Sequence, residues 1–250
     1  DTQLQYLIDF VYSSHSIGSS DAKKLIHILE NTLSIYQRST YKEIYKSFEG
    51  SRTDNKEVFY NVMVILEAIA LKKKVEFTYM NYDIDGNLIP RREKPYLVSP
   101  YYLVNNAGKY YLISVISSYP TIFSFRVDFM KNVIQTDYKA VPMSNISTMK
   151  NFDYQSYLSS HIYMMGEKEI LVKLELLDLS ACTPVYDWFG KKASCYFKDD
   201  KIIAEIKTAE DNIIYWALQY SDKVKVISPE STIAKIKDKV QKLKASYEAV

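Results

Sequence analysis

Apolar residues recur at helical spacing through residues 1–72. Three such sets lie at intervals of three and four positions: Leu4, Leu7, Ile8 and Val11; Leu25, Ile28, Leu29 and Leu33; and Val58, Val62, Ile65 and Ile69. Intervals of this kind place the apolar side chains on one face of an α-helix. We therefore predict that residues 1–72 form a helical region that links or dimerises the rest of the protein.

The pattern changes from helical to alternating at Val75. From Val75 to Tyr79 apolar and polar residues alternate, which is typical of a strand buried on one face. The pair Asp85-Gly86 suits a tight hairpin turn. Four more strand-like runs follow, over residues 88–98, 101–104, 109–116 and 121–127. Five short strands predict a small antiparallel β-barrel over residues 73–140.

A different organisation is predicted for the second half of the chain. Residues 141–168 are polar and irregular, and we predict a linker there. From Glu169 onwards, strand-like and helix-like runs follow in the order β-α-β-β-α-β, and a final helix ends the chain. This order is typical of a ferredoxin-like domain, here over residues 169–250. The predicted fold class is therefore α+β.

Composition places the chain among ordinary globular proteins. Of its 250 residues, 47% are hydrophobic and 25% are charged, and the net charge of +2 gives no overall electrostatic case for nucleic-acid binding. No apolar run has transmembrane length and no signal-peptide pattern is present, so we expect a cytoplasmic protein. Because the chain begins with Asp1 rather than Met, we expect it to be a piece of a longer protein.

No motif for catalysis or metal binding stands out. Cys182 and Cys195 lack Cys-x-x-Cys spacing, and His15, His27 and His161 are far apart in the sequence. With only 6 glycines, the chain contains neither of the glycine-rich phosphate-binding motifs. We therefore expect reduced thiols, no metal, no cofactor and no enzymatic activity.

The candidate binding residues lie on the strands of the predicted barrel. Strand alternation directs Phe125 and Val127 to the core, so Ser124 and Arg126 project from the opposite face. Tyr111 on the neighbouring strand can lie beside them. A guanidinium can bind a phosphate through two hydrogen bonds, and an aromatic ring can stack on a base, so this set suits a planar or anionic ligand.

Three further residues complete the predicted ligand site: Arg91, Arg92 and Tyr79. The two arginines fall on the predicted second strand with side chains on opposite faces, so only one of them can join the site without local distortion. An alternative role for Arg126 is an ion pair with Asp128, two residues further along the same face. Spacing alone leaves both roles open.

Two short motifs connect the barrel segment to a known family. Residues 110–112 read YYL and residues 125–128 read FRVD. In order and spacing they resemble the WYL domain, named for a Trp-Tyr-Leu triplet, and the likeness extends over residues 75–133. Residues 169–247, with Trp216, resemble the C-terminal extension often found after that domain.

The resemblance implies a small Sm-like or SH3-like barrel within a bacterial transcriptional regulator. It also implies sensing of a ligand, often a nucleotide or single-stranded nucleic acid, and a homodimer. The family usually carries a winged helix-turn-helix in front of this domain. None is evident in residues 1–72, so contact with DNA is expected through a missing N-terminal domain. The family pattern FRxDR ends in arginine, whereas this chain has Phe129, which removes one positive charge from the expected pocket.

The function expected from the sequence is that of a ligand-sensing regulatory module. It would bind a nucleotide or single-stranded nucleic acid around Arg126 and modulate DNA binding. The alternative is a free-standing nucleic-acid-binding protein without a sensing role, whose affinity would depend strongly on salt. The final helix carries an apolar stripe that either packs within its own domain or forms a dimer interface: Ile233, Ile236, Val240, Leu243 and Tyr247.

Overall fold

The chain forms two compact units, the first ending at Lys150 and the second beginning at Asn151. The computed structural model describes residues 2–34, 38, 52–116, 121–166 and 168–248. Parts of the predicted helical region, at residues 35–37 and 39–51, lie outside the described residues. None of the helices in the described ranges is long and apolar enough to cross a membrane.

Three described helices belong to the first unit: α1 (Thr2–Ser13), α2 (Ser19–Glu30) and α3 (Val58–Ala70). The predicted stripes of α1 and α3 supply buried residues such as Ile8 and Ile65. In α2 the buried face is centred on Ala22 and Ile26, so the predicted stripe is displaced and Ile28 is 61% exposed.

A six-stranded antiparallel sheet accompanies these helices. Its strands are β1 (Lys73–Tyr82), β2 (Leu88–Pro90), β3 (Tyr96–Asn106), β4 (Lys109–Ile116), β5 (Ile122–Arg126) and β6 (Met130–Lys139). The strand order is β2-β1-β3-β4-β5, and β6 also pairs with β1. The α+β class is confirmed. The predicted five-stranded barrel is instead a curled sheet, a half-barrel, and it has six strands. The sixth strand, β6, was not predicted from alternation.

Two strand predictions in this sheet were wrong. The run predicted over residues 88–98 breaks after Pro90, so Arg91 and Arg92 lie in the bend between β2 and β3. Conversely, β3 continues through Pro100, where the register with β4 shifts by one residue. A bulge of this kind lets a strand accommodate a proline, which has no N–H to donate.

The helices and the sheet of the first unit share one hydrophobic core. Ile8, Ile26 and Ile65 from the helices lie in the same buried cluster as Phe77 and Leu112 from the sheet. The boundary predicted between residues 72 and 73 therefore does not separate two compact units, because neither part buries its apolar face without the other.

The second unit has the predicted β-α-β-β-α-β order. Its strands are β7 (Glu169–Leu176), β8 (Ser194–Lys198), β9 (Lys201–Ala209) and β10 (Val224–Ser228), and they form one sheet in the order β10-β7-β9-β8. The helices are α4 (Tyr154–Ser160), α5 (Cys182–Phe189), α6 (Glu210–Gln219) and α7 (Glu230–Glu248). The first of these helices falls within the predicted linker, where Asp153 caps it by accepting a hydrogen bond from the Ser156 N–H at 2.6 Å.

Two buried amides connect the segment before α3, and α3 itself, to the sheet. The Asn55 side-chain NH₂ donates to the carbonyl oxygens of Asp128 at 3.0 Å and Met130 at 2.7 Å, and its Oδ1 accepts from the Glu57 N–H at 3.0 Å. Asn61 donates to the same Met130 carbonyl at 2.8 Å. Both side chains are fully buried. These bonds hold the chain between β5 and β6 against the helical region.

Asn55→Ala should lower the free energy of unfolding of the first unit by about 2–3 kcal/mol, because it removes three hydrogen bonds made in the interior. Asn81→Ala, at an exposed position of β1, is the control and should change stability by less than about 0.5 kcal/mol. Urea denaturation measures both variants. An equally small loss for the two would contradict the structural role of Asn55.

Candidate ligand site around Arg126

Pairing between β4 and β5 brings the predicted site residues together. Tyr111 lies directly across from Arg126, and Ile113 lies across from Ser124. Neighbours in this register share a face of the sheet, so the structure places Tyr111, Ser124 and Arg126 on the same face, as alternation predicted. Phe125, between the two, points into the core and is 5% exposed.

The Arg126 side chain is held by a buried carboxylate. Its Nε donates to Asp128 Oδ1 at 3.1 Å and its Nη2 donates to Oδ2 at 2.6 Å. The Asp128 side chain is 2% exposed and that of Arg126 is 28% exposed. The ion pair that the sequence left as an alternative is therefore present, with the two parallel hydrogen bonds that strengthen arginine–carboxylate pairs.

A turn after β5 makes this pair possible. The strand ends at Arg126, and Val127–Phe129 forms a single turn of 3₁₀ helix before β6 begins. The turn brings the carboxylate of Asp128 back to the guanidinium two residues earlier, and the Asp128 carbonyl accepts the hydrogen bond from Asn55. The position of Arg126 thus depends on both strands and on the helical region.

Phe129 covers one face of the guanidinium. The Arg126 Cζ lies 4.2 Å from the centre of the Phe129 ring, which is the geometry of a cation–π contact. The ring in turn packs edge-on against Tyr82, at 5.4 Å between ring centres, and against Tyr79, at 6.1 Å. The residue that stands where the family usually has an arginine therefore fixes the plane of Arg126.

Tyr79 connects the arginine to the aromatic core. Its hydroxyl accepts the Arg126 backbone N–H at 3.2 Å, and its ring packs edge-on against Phe125 at 5.2 Å. Burial raises the pKa of the Tyr79 hydroxyl, and the nearby charge of Arg126 opposes this shift. Burial likewise raises the pKa of Tyr111. Both hydroxyls are therefore neutral at physiological pH.

The two arginines after β2 differ in what they can offer a ligand. The backbone N–H of Arg91 donates to the Tyr79 carbonyl at 2.8 Å, and its exposed side chain has no ion pair within the described part of the chain. Arg92 instead folds onto its own bend, with its Cζ 3.4 Å from the centre of the Tyr96 ring. Its nitrogens donate to the carbonyl oxygens of Lys94 at 2.7 Å and Pro95 at 2.8 Å. The structure therefore places Arg91 beside the site and engages Arg92 locally.

Three residues that contact the predicted site were not themselves predicted: Asp128, Phe129 and Tyr96. The sequence indicated Asp128 only as a possible ion-pair partner of Arg126, and Phe129 only as a departure from the family pattern. The signal for Asp128 was its two-residue spacing from Arg126; no comparable signal marked the ring contacts.

Among the described residues, no group of three or more histidine, cysteine, aspartate or glutamate side chains could hold a metal ion.

Residues 61–135, which include most of α3, the strands from β1 to β5 and the first half of β6, match the WYL domain family. This stretch, about a third of the chain, is similar to the WYL domain. The whole candidate site around Arg126 lies within this WYL stretch. No curated protein matches the chain by sequence at a significant level.

Two solved structures show a distant similarity to this chain. Proteasome accessory factor B/C (PafBC) of Arthrobacter aurescens is 17% identical, with a TM-score of 0.33, over 80% of this chain and 28% of that chain. A structure described as a CRISPR Cas-related protein is 13% identical, with a TM-score of 0.48, over 100% of this chain and 73% of that chain. The chain thus spans less than a third of the length of PafBC.

Asp128→Asn should lower the free energy of unfolding of the first unit by about 1–3 kcal/mol, because Arg126 would lose its charged partner while remaining largely covered. Asp137→Asn is the control, since it removes an exposed carboxylate that lies 3.8 Å from Lys73. Surface pairs of that kind contribute about 0–1 kcal/mol. Urea denaturation compares the two variants, and wild-type stability for Asp128→Asn would show that the pair does not hold the turn.

Proposed function

We propose that this chain is the ligand-sensing regulatory module of a bacterial transcriptional regulator. The WYL half-barrel would bind a nucleotide or single-stranded nucleic acid at the surface around Arg126. Binding would alter DNA affinity through an attached DNA-binding domain. The role proposed is recognition and regulation, without catalysis.

One observation carries this proposal. Within the WYL stretch, a fixed guanidinium lies beside the ring of Tyr111 on an accessible face of the sheet, with the exposed Arg91 close by. Planar cations, aromatic rings and a free positive charge are the groups that recognise bases and phosphates. A net charge of only +2 favours a defined ligand site over general attraction to nucleic acid, and so favours sensing over the free-standing binder.

Regulation requires that the ligand prefer one arrangement of the protein over another. A ligand that bound two arrangements equally would shift neither population. The turn at Val127–Phe129 is suited to transmit such a preference, because Asp128 contacts both Arg126 in the ligand site and Asn55 in the helical region. A movement of Arg126 on ligand binding would therefore change the contacts of the turn with the ligand site and with the helical region.

Arg126→Ala and Tyr111→Ala should each weaken binding of a fluorescein-labelled oligothymidylate by roughly tenfold, because base stacking contributes about 1–3 kcal/mol per base. Lys23→Ala, which removes an exposed cation from α2, is the control and should bind like the wild type. Fluorescence anisotropy measures affinity, and circular dichroism confirms that each variant is folded. Unchanged binding in both site variants, or no binding of oligothymidylate and AMP by the wild type, would contradict the proposal.

The proposed regulator is a homodimer that associates through the distal half of α7. Ile233 and Ile236 pack within the second unit, whereas Val240, Leu243 and Tyr247 are 46%, 55% and 78% exposed. Their spacing of three and four residues forms one stripe, as in paired helices. Charges beside the stripe are paired within the helix, as in Lys242–Asp238 at 2.7 Å, so two copies would not repel each other strongly.

Leu243→Asp should convert the dimer to a monomer, because it places a charge in the centre of the exposed stripe. Leu179→Asp is the matched control, since Leu179 is 65% exposed elsewhere in the second unit. Size-exclusion chromatography with light scattering gives the mass of each variant. A monomeric wild type, or a dimeric Leu243→Asp variant, would show that α7 is not the interface.

A further inference from the structure

Arg126 has little free charge to offer a ligand. Two of its three guanidinium nitrogens, Nε and Nη2, donate to the two carboxylate oxygens of Asp128. The pair is neutral as a whole, and its carboxylate is 2% exposed. A phosphate could bind Arg126 through two hydrogen bonds only by displacing Asp128, which would leave a carboxylate unpaired in the interior.

What Arg126 does present is a flat surface of fixed orientation. One face of the guanidinium lies on the Phe129 ring, at 4.2 Å, and one edge lies on Asp128. The opposite face and the Nη1 edge are what remains for a ligand. Guanidinium planes stack well on aromatic rings, and Tyr111 lies across the strand pair on the same face. The arrangement suits a nucleobase that stacks on Arg126.

Arg91 provides the charge that Arg126 lacks. Its side chain is exposed and, within the residues that the structure describes, no carboxylate pairs with it. It is also anchored to the same tyrosine as Arg126. The Tyr79 carbonyl accepts the Arg91 N–H at 2.8 Å, and the Tyr79 hydroxyl accepts the Arg126 N–H at 3.2 Å. Tyr79 thus holds both arginines at the edge of the half-barrel, Arg91 through its backbone carbonyl and Arg126 through its hydroxyl.

We propose that the two arginines divide recognition of a nucleotide between them. Arg126 acts through the plane of its guanidinium, on which the base stacks, and Arg91 supplies the positive charge for the phosphate. This inference rests on the proposed function, since it concerns the same site and ligand class. It assigns the specificity for a base to Arg126 and the salt dependence of binding to Arg91.

The test measures affinity for fluorescein-labelled oligothymidylate over a range of potassium chloride concentrations. Each phosphate contact to single-stranded nucleic acid contributes about 0.7 to the slope of log affinity against log salt. Arg91→Ala should therefore reduce the slope by about 0.7. Arg126→Ala should weaken binding roughly tenfold with the slope unchanged. Lys23→Ala is the control for loss of an exposed cation, and should alter neither quantity.

Arg126→Lys tests the planar group of the side chain separately from its charge. Lysine keeps a positive partner for Asp128, so the fold is preserved, but it has no planar surface. The inference predicts that this variant loses roughly as much affinity as Arg126→Ala, again about tenfold. Competition gives a second measurement: AMP should displace the probe better than ribose 5-phosphate from the wild type, and this preference should disappear in Arg126→Lys.

Failure of the inference is distinguishable from failure of the proposed function. If Arg126→Lys binds like the wild type, or if Arg126→Ala reduces the salt slope as much as Arg91→Ala, Arg126 is a phosphate ligand and the division is wrong. The proposed function would survive that result. An Arg126→Ala variant with unchanged affinity would overturn the inference, and the proposed function would fall with it only if Tyr111→Ala also bound like the wild type. A wild-type chain that binds none of the probes would overturn the proposed function and the inference together.

Discussion

The two hydrogen bonds between Arg126 and the buried carboxylate of Asp128 are the interaction on which the candidate site depends. They close the turn at Val127–Phe129, where β5 ends and β6 begins. Because the carboxylate is out of solvent, loss of the guanidinium would leave an unpaired charge in the interior. Asn55 holds the same turn from the helical side. The pair therefore sets both the position of the arginine and the path of the chain.

Periodicity predicted the type of most elements but not which ones pack together. The strand from Val75 and the ferredoxin-like order of the second unit could be predicted because their alternation is regular. The sixth strand, Met130–Lys139, could not, since its register with β1 shifts at two places and the bulges break the period of two. A helical stripe shows that α3 has an apolar face, but it does not show that the face covers the sheet.

The candidate site was predictable where it depends on alternation alone. Tyr111 and Arg126 share a face because they are cross-strand neighbours, and the period of two is sufficient to show it. The ion pair with Asp128 depends on whether the chain extends or turns after Arg126, and spacing does not decide between these paths. The contact between Arg92 and the ring of Tyr96 arises from a bend inside a run that alternation predicted to be a continuous strand.

The phenylalanine at position 129 acquires a physical meaning from this geometry. A second arginine there would repel Arg126 and compete with it for Asp128, whereas the ring stabilises the guanidinium and fixes its plane. Phe129 carries no positive charge, and Asp128 neutralises the charge of Arg126. Both weaken attraction to phosphate at this point of the surface and make recognition depend on shape. In the proposed site, attraction to phosphate would then be left to Arg91, which the Tyr79 carbonyl holds beside Arg126.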